Sequence, residues 1–324
     1  MRLTIAALVT LSLAACTAAS PRTDTPAPAA ASAASAAPAH DNLNAVAWMQ
    51  SATEWRALSQ QTFAGAAVAL GAAVEHLALL ESMSPEPGAP ANALISNTYA
   101  SAARHQTSWN ALVPAEREGG DDPHEPLAVI VDVDETVLDN TPYQARQIRD
   151  DEYAFEDASW EAWVGERRAR PLPGAVAFAK QAAAWGVTIF YVTNRSAAGR
   201  ESTIANLRTA GFPVAHDAAN VMTIDESRGW TSDKSIRRRA VDRTHRVVLL
   251  IGDNLGDFLG GINADNATRT RLVADYEAWW GQRWFMLPNP AYGSWESALT
   301  RDCAADPALA ADLRACKHAE LRYE

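Results

Sequence analysis

Cysteine and lysine are scarce in this chain of 324 residues. Its three cysteines, Cys16, Cys303 and Cys316, and its seven histidines form no cluster at metal-ligand spacing, which argues against a zinc centre built on sulfur and imidazole. Positive charge is also short: 28 Lys and Arg face 39 Asp and Glu, for a net charge of -11. That balance excludes a sequence-independent nucleic-acid binder, which needs a basic surface. An anionic ligand must therefore be held by a local group of cations rather than by the field of the whole molecule. Only Lys180, Lys234 and Lys317 are lysines, so one inside a motif carries weight. No internal repeat is visible. What is present is apolar: 48% of residues are hydrophobic and 21% charged, enough for one large domain or two small ones and too much for wholesale disorder.

The N-terminus reads as a processing segment. Met1-Arg2 is followed by an apolar stretch from Leu3 to Leu13. At about 11 residues it is too short for a bilayer, which takes about 20. Residues 1–15 thus read as a secretory signal. The ending Leu13-Ala14-Ala15-Cys16 resembles the lipobox of bacterial lipoproteins, which implies cleavage before Cys16 and acylation of that residue. The expected location is the bacterial outer membrane, on its periplasmic or surface face. Residues 16–40, almost all Ala, Pro, Ser and Thr, read as a disordered tether. Cys303 and Cys316 remain as an even pair: either two free thiols or a disulfide closing a short loop, worth about 3 kcal/mol.

Asp41 is placed to cap a helix, and apolar residues then recur at helical spacing: Trp48, Ala52, Trp55 and Leu58, then Phe63, Ala66, Leu70, Val74 and Leu77. One long helix or two are expected up to Met83, and another stretch of helix over about 91–112. A polar break at 118–123 closes this helical region, 41–122. Beyond it come short runs that are apolar on every residue: 127–131, 187–192 and 247–251, with weaker candidates at 221–224 and 284–287. Such runs suit parallel strands buried on both faces, joined by crossover helices at 175–184 and 197–210. The expectation is an α/β fold of three layers around a parallel sheet over 123–300. A partial lid is expected at about 141–171. The tail, 301–324, is expected to pack with the N-terminal helices as a smaller helical domain.

Each main run ends in polar residues, and in open α/β sheets the ligand crevice lies at those carboxyl ends. The first run delivers Asp132-Val133-Asp134, the second Thr193-Asn194-Arg195, and the third Gly252-Asp253 with Asp257 four residues on; Lys234 lies between. Each has a plainer reading: surface charge for the acids, a helix cap for Thr193, and a solvated helix position beside Arg237, Arg238 and Arg239 for Lys234.

The order Asp-x-Asp, Thr, Lys, Gly-Asp-x-x-x-Asp resembles the four motifs of the haloacid dehalogenase superfamily of phosphohydrolases. More narrowly, the stretches 132–140, 191–195, 252–258 and 287–296, with Trp48 to Glu54, are similar to the class C nonspecific acid phosphatases, lipoproteins that act as 5'-nucleotidases. The resemblance implies a haloacid-dehalogenase-like fold and hydrolysis of phosphate monoesters. It also implies a metal held by Asp132, the backbone carbonyl of Asp134, and Asp253, with Asp257 orienting that shell. Asp132 would be the nucleophile and Asp134 the acid and base; Thr193, Asn194 and Lys234 would bind phosphate. Trp160 or Trp163, and Tyr292, would stack on a nucleobase.

The chemistry is consistent with this on its own terms. A carboxylate attacking a phosphate is opposed by charge repulsion, so a dication is needed, and an all-oxygen donor set points to magnesium. The partners expected are nucleoside monophosphates and other small esters, and a membrane reached through the N-terminal lipid. Nucleic acid is not among them, and a homodimer is left open. A phosphatase without nucleotide preference and a non-catalytic nucleotide- or porphyrin-binding lipoprotein are the alternatives.

Overall fold

The structure, a computed structural model, describes residues 40–83, 109–119, 124–152, 154–303 and 313–323. These belong to one compact unit, Ala39–Glu324. The expected signal, Cys16 and nearly all of the tether lie outside the described residues, as does most of the helix expected over 91–112; Trp109 to Leu112 are not helical.

The apolar runs pair as expected. Strands β1 (Leu127–Val131), β4 (Thr188–Val192), β5 (Val221–Met222), β6 (Arg246–Gly252) and β7 (Trp284–Met286) form one sheet in the order β5-β4-β1-β6-β7. Every pairing in it is parallel. β1 is central, and β6 is buried along its whole length, which is why both read as continuous hydrophobic runs. A two-stranded ribbon, β2 (Leu138–Asp139) with β3 (Arg170–Pro171), stands apart from this sheet.

Ten α-helices are described. The N-terminal pair is α1 (Leu43–Ser51) and α2 (Thr53–Met83), divided at Ala52, so the two-helix alternative holds. Asp41 does not cap α1; Asn42 takes that position without a side-chain bond. Instead, Asp41 faces Arg314 and Lys317, 3.6 and 3.8 Å away. Helices α3 (Thr141–Arg149) and α4 (Asp157–Glu166) occupy the insert between β2 and β3. The crossovers are α5 (Ala175–Ala184), α6 (Arg200–Ala210) and α7 (Ser235–Asp242). Gly211 ends α6 at φ 94°, a left-handed position that glycine tolerates best. α8 (Asn266–Asp275) precedes β7, and α9 (Ser294–Cys303) and α10 (Leu313–Ala319) follow it.

The N-terminal helices share a core with the sheet rather than enclosing one of their own. Val46 and Met49 of α1 and Trp55, Phe63, Ala66 and Leu70 of α2 belong to the same cluster as Val129 and Val131 of β1 and Leu249 of β6. Cys303 and Cys316 are joined in a disulfide that ties α9 to α10, with Cα atoms 5.7 Å apart.

Candidate active site

The chain leaves β1 through a tight turn. Val137 and Leu138 both donate their N–H to the carbonyl of Val133, and Glu135 adopts φ 54°. This turn takes Asp132 and Asp134, one residue apart, to the same cavity instead of to opposite faces of a pleat. That cavity is about 920 Å³ and opens over the carboxyl ends of the strands.

Asp253 follows the last residue of β6. Asn254 then opens a one-turn 3-10 helix, Leu255–Asp257, in which the Asn254 side chain accepts from Gly256 N–H and the Asp257 carboxylate accepts from Asn254 N–H at 2.9 Å. A Cβ on Gly252 would collide with the Asp257 side chain, so glycine here allows that carboxylate to fold back over the strand end. Asp132, Asp253 and Asp257 thus each present an oxygen within 4.8 Å of the others. Lys234, at the start of α7, donates to Asp132 and, at 2.6 Å, to Asp257. The solvated-helix alternative for this lysine is therefore excluded.

The electrostatics follow from this crowding. Burial raises the Asp132 carboxyl to about 6, with Lys234 opposing the shift and Asp257 adding to it. Burial, then the charges of Asp132 and Asp257, hold Asp253 well above the ordinary carboxylate range. Burial works against the Lys234 ammonium, but the two aspartates outweigh it and raise its pKa. Three acids and one lysine leave a local excess of negative charge among hard oxygen donors, and a divalent cation fits that set. Thr136 and Asn289 hold Asp253 from either side, donating at 3.2 and 2.8 Å.

Asp134 stands outside this triad. Arg195, only 2% exposed, donates to its Oδ1 through Nε and Nη2 at 3.0 and 2.8 Å, and Asn140 Nδ2 donates there at 2.8 Å. The Thr193 hydroxyl donates to Oδ2 at 3.1 Å. Several expected roles change as a result. Thr193 is fully buried, with its hydroxyl aimed at Asp134. Asn194 lines the cavity, yet its amide is engaged by Arg237 and the Ser232 carbonyl. Asp257, expected in an outer role, joins the carboxylate triad directly.

The two tryptophans separate cleanly. Trp163 is 3% exposed, with its indole N–H donating to Asn140 Oδ1 at 2.8 Å, so it is core and no platform for a base. Trp160 lines the cavity, set edge-on to Tyr143 with ring centres 5.2 Å apart. Tyr292 also lines the cavity; the residue is 36% exposed, and its hydroxyl donates inward to Glu135. Arg195, Glu135 and Asn140 are residues to which the sequence reading gave no individual role. Burial, reinforced by Asp134 nearby, pushes Glu135 up to about 8.

Comparison with known proteins agrees with this geometry. The sequence pattern of the HAD superfamily, subfamily IIIB (acid phosphatase), matches residues 87–295. Acid phosphatase 1 of Solanum lycopersicum is 32% identical over 167 residues, 50% of this chain and 57% of that protein. The stem 28 kDa glycoprotein of Glycine max is 25% identical over 168 residues, 50% of this chain and 58% of that protein. The chain thus spans a little over half the length of these plant relatives. The structure of the class C acid phosphatase from Bacillus anthracis superposes with a TM-score of 0.64 at 28% identity, covering 87% of this chain and 97% of that one. A second structure of the Bacillus protein has tungstate bound. Because the matched span takes in β1, β4, β6 and everything they carry into the crevice, the chain belongs to the HAD superfamily, subfamily IIIB, the acid phosphatases.

Proposed function

We propose that this protein is a magnesium-dependent acid phosphatase that hydrolyses phosphate monoesters through an aspartyl-phosphate, with 5'-nucleotides as a favoured class. The observation that carries the reading is the meeting of Asp132, Asp253 and Asp257 around one point, with Lys234 against the nucleophile. The Bacillus relative's capture of tungstate, an oxyanion, accords with it.

A bound dication supplies charge screening between the attacking carboxylate and the phosphate. Asp132 Oδ attacks phosphorus, forming an O–P bond as the bond from phosphorus to the leaving oxygen breaks. The electron pair goes to that oxygen, which takes a proton from Asp134. Water then attacks the aspartyl-phosphate, gives a proton to Asp134, and phosphate leaves with Asp132 restored. Lys234 holds a positive charge next to Asp132 throughout, where charge builds in the transition state.

The nucleotide preference rests on Trp160 and Tyr292, two aromatic residues that line the cavity wall. Stacking on a base is worth about 1–3 kcal/mol per face without selecting one base. A phosphatase with no nucleotide preference is favoured to the extent that Trp163 is removed from the platform. The deciding experiment is a panel of nucleoside and aryl phosphates with magnesium and with chelator, using Asp132→Asn as control. Phosphate release from nucleotides that stops with chelator is expected; no release from any ester would end the enzymatic reading. Trp160→Ala and Tyr292→Ala should weaken nucleotides more than aryl phosphates, and equal losses would favour the broader enzyme. Lipid attachment at Cys16 to the bacterial outer membrane remains part of this proposal. Cys16→Ser should abolish incorporation of labelled palmitate.

A further inference from the structure

The reaction proposed above asks two things of the leaving group: it must be held, and its oxygen must be protonated. In the structure the residue nearest the holding surface and the residue that gives the proton are joined by a single buried side chain. Arg195 forks onto Asp134 through Nε and Nη2, with Nε also 3.3 Å from Oδ2. Its guanidinium carbon lies 5.7 Å from the centre of the Trp160 ring, on the same cavity wall. The remaining nitrogen, Nη1, is fixed from behind by Thr203 Oγ1 at 3.1 Å, and Nη2 also reaches Asn140 Oδ1 at 3.3 Å. Thr203 is itself anchored, donating to the carbonyl of Gly199 at 2.9 Å.

This arrangement uses every edge of a planar, multiply donating group. A lysine would supply the charge but neither the fork nor the flat face. Arg195 and Asn140 both bring donors to Oδ1. Oδ2 is left mainly with the Thr193 hydroxyl, which can donate or accept and so can adapt when that oxygen carries the proton. Neither Thr193 nor Arg195 is free to swing: both are buried, and Arg195 N–H donates to Thr193 Oγ1 at 3.1 Å.

We propose that Arg195 is a positioning residue for the leaving-group side of the reaction, aiming Asp134 at the leaving oxygen and linking that aim to what lies against Trp160. The inference rests on the reading of Asp134 as the acid. It makes the benefit of Arg195 depend on the leaving group. An alkoxide, such as the ribose oxygen of a nucleotide, needs a proton to depart. A dinitrophenolate does not. A residue that simply bound phosphate, or merely held the fold, would serve both esters alike.

The test compares kcat/KM, which reports steps only up to departure of the leaving group, for adenosine 5'-monophosphate and 2,4-dinitrophenyl phosphate with magnesium present. In Arg195→Lys the nucleotide value should fall about 10- to 100-fold, a part of the roughly 10²–10⁴-fold that acid assistance supplies, while the dinitrophenyl value changes less than about 3-fold. Thr203→Val leaves Arg195 in place but removes its rear support. It should give the same pattern in weaker form, so the inference stays testable even if Arg195→Lys folds poorly. Combining Arg195→Lys with Trp160→Ala should cost less on the nucleotide than the product of the two single losses. Equal losses on both esters, no loss on either, or strict multiplication in the double variant would overturn the proposal. If the unaltered enzyme turned over neither ester, the underlying reading would fail instead, which is a different result.

Discussion

Two clusters of buried charge flank the short turn Leu255–Asp257, and they are balanced differently. Below it, Arg238 and Glu116 pair one to one, both side chains almost wholly buried, through two bonds of 2.6 and 2.7 Å. The remaining edges are satisfied as well: Arg238 donates to the Gly256 carbonyl, and Glu116 accepts from Gly260 N–H. Above the turn, three carboxylates meet and one lysine pairs with two of them. α7 serves both, since Lys234 and Arg238 lie one turn apart with Arg238 N–H donating to the Lys234 carbonyl. The closed pair is architecture. The imbalanced cluster is where a ligand of opposite charge has something to gain.

The largest effect should come from touching the imbalanced side. Asp132→Asn should lower phosphate release by roughly 10⁴-fold or more, the scale of losing a nucleophile, with no loss of thermal stability because one crowded acid has been removed. The reverse is expected below the turn. Arg238→Met leaves Glu116 buried without its partner and should cost about 3–5 kcal/mol in urea unfolding. Unchanged stability there would erase the contrast.

Magnesium should then raise the melting temperature of the unaltered protein, by the equivalent of about 2.7 kcal/mol at a hundredfold excess over its dissociation constant, and do much less for Asp253→Asn. An equal shift in both would place the cation elsewhere.

Measured per pH unit and per proton, the smallest effect is in pH. In chelator, the folded protein keeps a proton on Asp132 up to about pH 6 and on Glu135 up to about pH 8, whereas the unfolded chain releases both at ordinary carboxylate values. Stability should therefore fall as pH rises across that interval, by no more than about 1.4 kcal/mol per pH unit for each proton. Glu135→Gln should flatten the upper part of the slope, from pH 6 to 8, in urea midpoints.

The strands were legible because their burial on both faces leaves a continuous apolar run, whereas the order β5-β4-β1-β6-β7 was not readable from the runs themselves. Asp132 and Asp253 were legible because acids at the ends of such runs have few structural reasons to be there, and Lys234 because lysine is scarce in this chain. What was hidden depended on direction. Thr193, Asn194 and Arg195 are consecutive, and nothing in their order says that the first and third both face Asp134 while the second faces Arg237. Trp160 and Trp163 are three residues apart on α4, yet Asn140 takes the second into the core. Arg237 and Arg238 sit in a run of three arginines that reads as a wet surface, and both are fully buried. Their partners, the Thr193 carbonyl and Glu116, lie 44 and 122 positions away, beyond the reach of local pattern.

That separation has a kinetic consequence. Lys234 and Asp132 are 102 positions apart, and Asp253 follows β6, which pairs in parallel with β1. Parallel pairing of this kind closes long loops before it is rewarded, which slows folding. The segment at the end of β6 carries two of the three acids, but Asp132 and Lys234 come from elsewhere in the chain, so recovered catalysis during refolding should report the arrival of the complete topology, behind the earlier return of helical circular dichroism.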